Sequence, residues 1–182
     1  LRIARTVATL GPGHDGLVIC TAHDEGVAAA LAGVAEQGKP VITLATDMRG
    51  GGRHTYVGPD NWKAGRVAGD LMGRLIGPEG GAVVMIAGML SMIGHEEREM
   101  GFRSVLRERH PRCEVVEVLQ SLEQGDRAGD LVYRTLQRDP GIRGIYNASA
   151  GAQPIVGALR ALGLRDRVVF ITHELTEERR RL

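Results

Sequence analysis

The sequence predicts an α/β protein made of doubly wound parallel sheets with helices on both faces. Short runs that are apolar at nearly every position alternate along the chain with longer segments of helical periodicity. Strands that are apolar throughout are buried on both faces, as parallel strands are when helices connect them in βαβ units. Breaks rich in glycine and proline, such as "GPEGG", separate the two kinds of segment. The same breaks set the limits of the predicted elements.

The predicted elements follow one another in a regular alternation. Strands are expected at 16–21, 40–46, 82–87, 113–119, 144–147 and 168–173, with a short extended piece at 56–58. Helices are expected at about 60–76, 95–109, 125–138 and 151–162. A further helix, rich in alanine, begins after Asp24, which is its expected N-cap, and stops at Gly38.

The two ends of the sequence indicate a fragment of a longer protein. Ile3, Val7 and Leu10 have helical spacing up to Gly11, so the chain is expected to begin within or at the start of a helix. Thr176 is the expected N-cap of a final helix of barely a turn and a half. The basic residues at 179–181 follow two glutamates and are interpreted as a solvated helix face.

The composition argues against several classes of protein. With 43% hydrophobic and 25% charged residues, the chain has an ordinary soluble globular composition. The 23 Lys and Arg residues nearly balance the 22 Asp and Glu residues, so the net charge of +1 provides no electrostatic footprint for nucleic acid. The longest apolar runs fall short of the roughly 18 residues that span a membrane. Cys20 and Cys113 lie in apolar segments and favour a reduced, cytoplasmic protein, with a disulfide between them as the alternative.

Polar residues follow the predicted strands at their carboxyl ends, where open parallel sheets bind ligands. Their side chains suit hydrogen bonding and bidentate pairing and contain no catalytic triad, so we expect a binding protein and no enzyme. The predicted ligand-binding residues are Thr21, Asp47, Arg49, Asp60, Arg98, Asn147, His173 and Glu174.

Two motifs suggest a cofactor or a metal, and neither has the context that it needs. "GPGHDG" satisfies the GxGxxG spelling, but it follows a helix and precedes a strand, so it is interpreted as a helix-to-strand turn. "HEERE" lacks the second histidine that HExxH requires at position 99. We therefore expect no cofactor and no metal.

Arg98 is the candidate with the sharpest alternatives. It lies on the same helical stripe as Phe102 and Val105, which are predicted core residues, and a cation in the first turn of a helix opposes the helix dipole. Either Arg98 makes a surface salt bridge with an acidic residue (Glu97, Glu99 or Asp126), or its guanidinium faces the ligand cleft and binds hydroxyls or a carboxylate there.

Three acidic candidates also have two interpretations. Asp47 either makes a local turn bond or accepts two hydroxyls of a polyol ligand. Asp60 or its neighbour Asn61 caps the following helix, or contributes to the site. Glu174 is not needed as a cap, because Thr176 supplies one, and the ligand and surface interpretations are balanced for it.

Six segments, in order and spacing, resemble one known group of proteins. They are "DGLVICT", "PVITLATD", "YVGPDNWKAGRVAGDLM", "HEEREMGFRSVL", "GIYNASAGAQPIVGAL" and "VFITHELT". Over essentially the whole chain the sequence resembles the effector-binding domain of LacI/GalR-type transcription regulators and the related periplasmic sugar-binding proteins. Single segments are loose matches, but the ordered series is specific to the type I periplasmic-binding-protein fold.

This resemblance implies two α/β lobes, joined by crossing segments, with a sugar or small polar ligand between them. Residues 1–58 would form part of the N-terminal lobe and residues 59–182 the C-terminal lobe without its final segment. The implied function is the effector-binding core of a homodimeric regulator that binds DNA through a headpiece absent from this chain. The first alternative is a periplasmic sugar-binding protein of an ABC transporter. An enzyme on the same scaffold is the second, with His173–Glu174 and His95–Glu96 as its candidate acid–base pairs.

The resemblance also assigns roles to individual residues. Asp47 matches the strand-end aspartate of the family, Arg98 its arginine three residues before a glycine, and Glu174 its late carboxylate. His173 replaces an aromatic residue, and Asn147 matches an asparagine. The Asn-Asp pair expected a few residues later is replaced by small residues at 148–152, which leaves the identity of the ligand open.

Overall fold

The computed structural model describes residues 2–177 and 179–182. Two residues lie outside the described ones: Leu1, where the predicted first lobe begins, and Glu178, one of the two glutamates before the basic run. The chain divides into two compact units. The first contains the residues up to Asp60 together with Ser91–Glu96, and the second contains Asn61–Leu90 and the residues from Glu97 onward. The predicted lobe boundary near residue 58 stays a prediction. Ser91–Glu96, which come later in the chain, belong to the first unit.

The first unit is a three-stranded parallel sheet with two helices. Its strands lie in the order β1-β2-β3, with Leu17 opposite Val41 and Ile42 opposite Thr55. Its elements are α1 (Arg2–Leu10), a 3-10 turn (Gly11–Gly13), β1 (Leu17–Ile19), α2 (Glu25–Ala35), β2 (Val41–Leu44) and β3 (Thr55–Val57). The GxGxxG-like segment is therefore a helix-to-strand turn, as predicted.

The helices of the first unit pack on one face of its sheet. The shared core includes Val7 of α1, Leu31 and Val34 of α2 and Val41 of β2. Apolar side chains on the opposite face of the sheet are exposed, among them Val18. Among the described residues of this unit, helices therefore cover one face of the sheet and leave the other uncovered.

Local signals explain where the first-unit elements begin and end. Asp24 caps α2, because its carboxylate accepts the Val27 N–H at 2.9 Å, and Gly38 reverses the chain with φ +77°. The strand predicted at 40–46 is shorter than expected. Ala45 has φ 62°, a left-handed conformation that cannot continue a strand, so β2 ends at Leu44.

The second unit is a four-stranded parallel sheet with helices on both faces. Its strand order is β5-β4-β6-β7. Its elements are α3 (Asn61–Ile76), β4 (Gly81–Ala87), α4 (Ile93–Arg109, of which the first four residues belong to the first unit), β5 (Cys113–Gln120), α5 (Gly125–Arg138), β6 (Ile142–Asn147), α6 (Ala152–Ala161), β7 (Val169–Thr172) and a final 3-10 turn (Arg179–Arg181).

Alternate residues of β4 show the two buried faces. Val84 and Ile86 pack in one core with residues of α5 and α6. Val83 and Met85 pack in the other with residues of α3 and α4. Every strand residue from Val83 to Ala87 is therefore buried, which confirms the doubly wound arrangement predicted from its continuous apolar run.

Helices α3 and α4 cross at glycines. A Cβ atom on Gly65 would lie 2.1 Å from the Arg98 carbonyl oxygen, and one on Gly101 would lie 2.0 Å from the Trp62 carbonyl oxygen. Only glycine allows the two backbones to approach this closely. The crossing brings the first turn of α3 against the residues around Arg98.

The described residues contain no helix that is both long and apolar enough to cross a membrane. Both cysteine thiols are free, with Cys20 exposed and Cys113 buried.

Candidate functional site

Asp47 follows β2 in the first unit and is held by four donors. Its carboxylate accepts bonds from Thr43 Oγ1 at 2.7 Å, the Met48 N–H at 2.8 Å, and Arg53 Nε and Nη2, both at 2.5 Å. Burial alone would raise the pKa of Asp47, but the bonds from Arg53, Thr43 and Met48 outweigh it and hold the pKa below the usual value. The carboxylate is therefore charged, fixed in place and neutralised by Arg53.

The other first-unit candidates lie in less constrained positions. Arg49 Nη2 forms an exposed ion pair with Glu96 Oε2 at 2.9 Å. Thr21 is half-buried in the loop after β1, and Asp60 is exposed directly before α3. These residues keep the strand-end or helix-start positions that the sequence predicts, and their ligand-binding roles stay predictions.

Arg98 lies in the second unit and is half-buried. Its Nε donates to Asn61 Oδ1 at 2.9 Å, and its Nη1 donates to the Ala148 carbonyl oxygen at 3.2 Å. Both acceptors are neutral. Within the described ranges 2–177 and 179–182, Arg98 makes no ion pair, so it does not form the surface salt bridge that was its alternative interpretation. The stripe that it shares with Phe102 and Val105 is confirmed, since both of these residues are buried.

Beside Arg98 lies a buried aromatic pair that ends at His173. The ring of Tyr146 stacks on Phe102 with centroids 4.5 Å apart, and its hydroxyl shares a 2.5 Å hydrogen bond with His173 Nε2. Burial raises the pKa of Tyr146 far above its usual value, and the opposing effect of the Arg98 charge is smaller. Tyr146 therefore stays protonated, and the direction of the bond that its hydroxyl shares with His173 Nε2 is set by the tautomer of the imidazole.

Asn147 is buried, and its side chain organises the loop after β6. Its amide nitrogen donates to the carbonyl oxygens of Ser149 and Ala150 at 3.0 and 3.4 Å, while its oxygen accepts the Ser149 N–H at 3.2 Å. Thr172 Oγ1 lies 3.5 Å from the same nitrogen. These contacts are local and structural, so ligand binding by Asn147 has less support than the sequence suggested.

Glu174 follows β7 in a left-handed conformation, with φ 64°. Its carboxylate pairs with Arg179 Nη1 at 2.9 Å, and the same nitrogen donates to the carbonyl oxygens of His173 and Glu174. Only 16% of the Arg179 side chain is exposed, against 71% for Glu174. The interpretation of the basic run as a solvated helix face is therefore wrong for Arg179, which stabilises the strained turn after β7.

Four residues that support the candidates were not identified from the sequence. Arg53 binds Asp47, Tyr146 binds His173, and Arg179 binds Glu174. Asn61, which was interpreted as a helix cap, binds Arg98. Arg53 lies six residues from Asp47 in the loop between β2 and β3, and Arg179 lies five residues from Glu174 beyond β7, so neither pair follows from the periodicity of a helix or a strand. The other two partners come from distant strands and helices, which a sequence pattern does not bring together.

The candidate residues supply groups that suit the binding of a polar ligand. The guanidinium, carboxylate and imidazole groups are each oriented by a protein partner, and groups of these types can form hydrogen bonds with a polar ligand. In the part of the chain that the structure describes, no three His, Cys, Asp or Glu side chains are placed to hold a metal ion.

Comparisons with solved structures show the same fold. An ABC transporter solute-binding protein from Burkholderia graminis, in complex with D-arabinose, matches with a TM-score of 0.90 at 23% identity, over 98% of this chain and 63% of that one. A glucose-galactose binding protein from Geobacillus stearothermophilus matches with 0.87 at 22% identity, over 98% and 64%. An ABC transporter solute-binding protein from Mycobacterium smegmatis, with bound glycerol, matches with 0.79 at 26% identity, over 91% and 57%.

These comparisons confirm the predicted fold and give less support to the regulator. No curated protein matches the chain in sequence. The chain spans 57 to 64% of the length of the three structures, and those structures are solute-binding or sugar-binding proteins rather than LacI-type regulators. The model of the periplasmic binding protein domain family matches residues 7–182. The chain therefore belongs to the periplasmic binding protein domain family.

Proposed function

We propose that this chain is the ligand-binding part of a sugar-binding protein that serves an ABC transporter. Its family supports a binding role, and two of the structures that it resembles hold D-arabinose and glycerol. Both molecules are rich in hydroxyl groups. The strand ends of this chain carry the side chains that recognise hydroxyls, namely an arginine, a carboxylate and an imidazole.

The position of Arg98 and its hydrogen-bond partners are the observation that carries this proposal. It stands near the carboxyl end of the second-unit sheet, where parallel sheets bind ligands, and neutral acceptors orient its planar guanidinium. A guanidinium that is oriented but not neutralised can donate to ligand oxygens with charge-assisted bonds. A local structural role does not require a cation there, because Asn61 and the Ala148 carbonyl oxygen need only a donor.

The LacI-type regulator is the second candidate, and the ordered series of sequence segments is what favours it. It requires a homodimer, a DNA-binding headpiece and a cytoplasmic location. A transporter function places the protein outside the cytoplasmic membrane instead. An enzyme has the least support, because both of its candidate acid–base pairs have their carboxylates paired with arginines. Glu174 is paired with Arg179 and Glu96 with Arg49, and His173 is bonded to Tyr146.

A thermal-shift screen of the full-length protein against neutral sugars, sugar acids and polyols tests the proposal. A ligand at about 100 times its Kd stabilises the folded state by about 2.7 kcal/mol, which raises Tm by several degrees. We expect such a shift with at least one sugar, and unchanged sugar after prolonged incubation. A panel without any shift contradicts sugar binding, turnover of the sugar indicates an enzyme, and DNA binding that responds to the sugar indicates the regulator.

A further inference from the structure

We propose that a groove at the amino-terminal edge of the second-unit sheet binds a phosphate group between Arg143 and Arg167. This edge is opposite the one that carries the candidate sugar-binding residues of the unit. Along β6, Arg143 precedes Asn147 by four residues, which is about 13 Å of strand. A phosphate site here is thus separate from the proposed sugar-binding function and goes beyond it.

The groove lies between the start of β6 and the turn that leads into β7. Its volume is about 290 Å³, close to the lower end of the range of small-molecule sites. Three of the residues that line it belong to the core of the unit, so packing fixes their positions. They are Ile142, Leu164 and Val168.

A β-bulge places Arg143 at this groove. Between two consecutive residues of β4, the pairing passes from Ile142 directly to Gly144, so Arg143 is an extra residue without a partner on β4. Its side chain crosses Gly81, where a Cβ atom would lie 2.5 Å from Arg143 Cγ. A side chain at position 81 would block this path. The bulge and the glycine together accommodate the arginine, and bulges often redirect a side chain beside a functional site.

A turn before β7 fixes the second arginine. The Arg167 N–H donates to the Leu164 carbonyl oxygen at 3.0 Å, and the Val168 N–H donates to the same oxygen, also at 3.0 Å. Leu164 and Val168 are both buried in the core. The backbone of Arg167 is therefore anchored on both sides.

The charges of both arginines are available to a ligand. Among the described residues, neither guanidinium forms a hydrogen bond or an ion pair. Asp166 is the acidic residue among those that line the groove, so two positive charges meet one negative charge there. Asp139, before β6, accepts the Gly141 N–H at 3.0 Å, and Glu79, in the loop before β4, does not line the groove.

Helix dipoles account for other arginines at this edge but not for these two. Each of the helices α3 to α6 has an arginine in its last turn, such as Arg138 of α5, where the dipole favours a cation. Arg143 and Arg167 lie outside the helices, in a bulged strand and in a turn.

Two guanidinium groups suit a phosphate better than a carboxylate. Each presents a planar fork of N–H donors that pairs with two oxygens. A carboxylate has two oxygens and one charge, so a single fork satisfies it. A phosphate group has at least three acceptor oxygens and a charge of about −1.5 to −2 at pH 7, which matches two forks. The ligand is either free phosphate or the phosphate group of an ester.

Calorimetric titration of the full-length protein tests this site. The ligands are inorganic phosphate, glycerol 3-phosphate and acetate, at pH 7 and at an ionic strength held constant with sodium chloride. We expect at least one of the two phosphates to bind with a Kd below about 1 mM, and at least about tenfold more tightly than acetate. Binding of glycerol 3-phosphate identifies an ester site, and binding of inorganic phosphate alone identifies a site for the free ion.

Four variants identify the residues responsible. Arg143→Gln and Arg167→Gln each remove a charged fork and should weaken phosphate binding at least about tenfold. Asp166→Asn removes the negative charge from the groove and should tighten binding several-fold. Arg134→Gln removes a charge from an exposed position of α5 that does not line the groove, and should leave Kd unchanged.

Three results would overturn this assignment. The site does not exist if neither phosphate binds, and its ligand class is wrong if acetate binds as tightly as phosphate. If both arginine variants bind phosphate as the wild type does, the phosphate binds elsewhere. The sugar-binding function is tested separately, because Arg143→Gln should leave the sugar affinity unchanged.

Discussion

The type of partner that holds each strand-end side chain decides what that side chain can still bind. Asp47 and Glu174 are paired with arginines, so their charges are already neutralised. A ligand hydroxyl can reach either carboxylate only as a further hydrogen-bond donor beside the arginine. Arg98 is held by neutral oxygens and keeps its charge available. At this scale, Arg98 is the residue that we propose contributes most to ligand recognition.

Replacement of Tyr146 by phenylalanine tests the support of His173. The ring would still stack on Phe102, but His173 Nε2 would lose its 2.5 Å partner at a partly buried position. We expect a loss of about 1 kcal/mol in the free energy of unfolding, measured by urea denaturation, and a several-fold weaker sugar affinity. Tyr133→Phe, at an exposed tyrosine, is the matched control and should change stability by less than about 0.5 kcal/mol. Equal effects of the two variants would contradict the role of the buried hydroxyl.

Some of this arrangement could be predicted and some could not. The stripe of Arg98, Phe102 and Val105 follows from helical spacing, and the structure confirms it. The contact of Arg98 with Asn61 joins residues 37 positions apart, and it depends on the angle at which two helices cross. Asn61 also stands where a helix cap is expected, so its sequence position gave a different interpretation.

At the scale of elements, the crossing of α3 and α4 positions Arg98. Glycine removes the side chains that would hold the helices apart, since the nearest backbone oxygens lie within 2.1 Å of where a Cβ would be. Helix limits set by caps, such as Asp24, were predictable because capping is local. The early end of β2 was not, because it results from the left-handed conformation of Ala45, a residue without a turn preference.

Alanine substitutions separate this close crossing from ordinary helix glycines. Gly101→Ala places a methyl group 2.0 Å from the Trp62 carbonyl oxygen, so we expect a loss of about 1 to 3 kcal/mol in the free energy of unfolding. Gly157→Ala, in α6, meets no atom within 4 Å and should stabilise the protein by up to about 1 kcal/mol through helix propensity. Chemical denaturation measures both. A neutral or stabilising Gly101→Ala would contradict the close crossing.

At the scale of the whole molecule, the alternation of apolar strands and helices predicted the α/β fold because a strand that is apolar throughout, such as β4, has to be buried on both faces. Function was predicted less well. Regulators and transporter-associated binding proteins share this fold, and fold alone does not decide between functions. The family match shows a periplasmic binding protein domain, and the transporter-associated function is our proposal.

The most direct test of the account is the sugar affinity of the full-length protein with and without the Arg98 side chain. We predict that Arg98→Ala weakens the binding of the sugar found in the thermal-shift screen by about 1 to 3 kcal/mol, which is about 5- to 150-fold in Kd. Arg107→Ala, on the same helix, should leave Kd unchanged. An Arg98→Ala protein that is folded and binds the sugar as tightly as the wild type would contradict the central claim that this sheet edge binds the ligand.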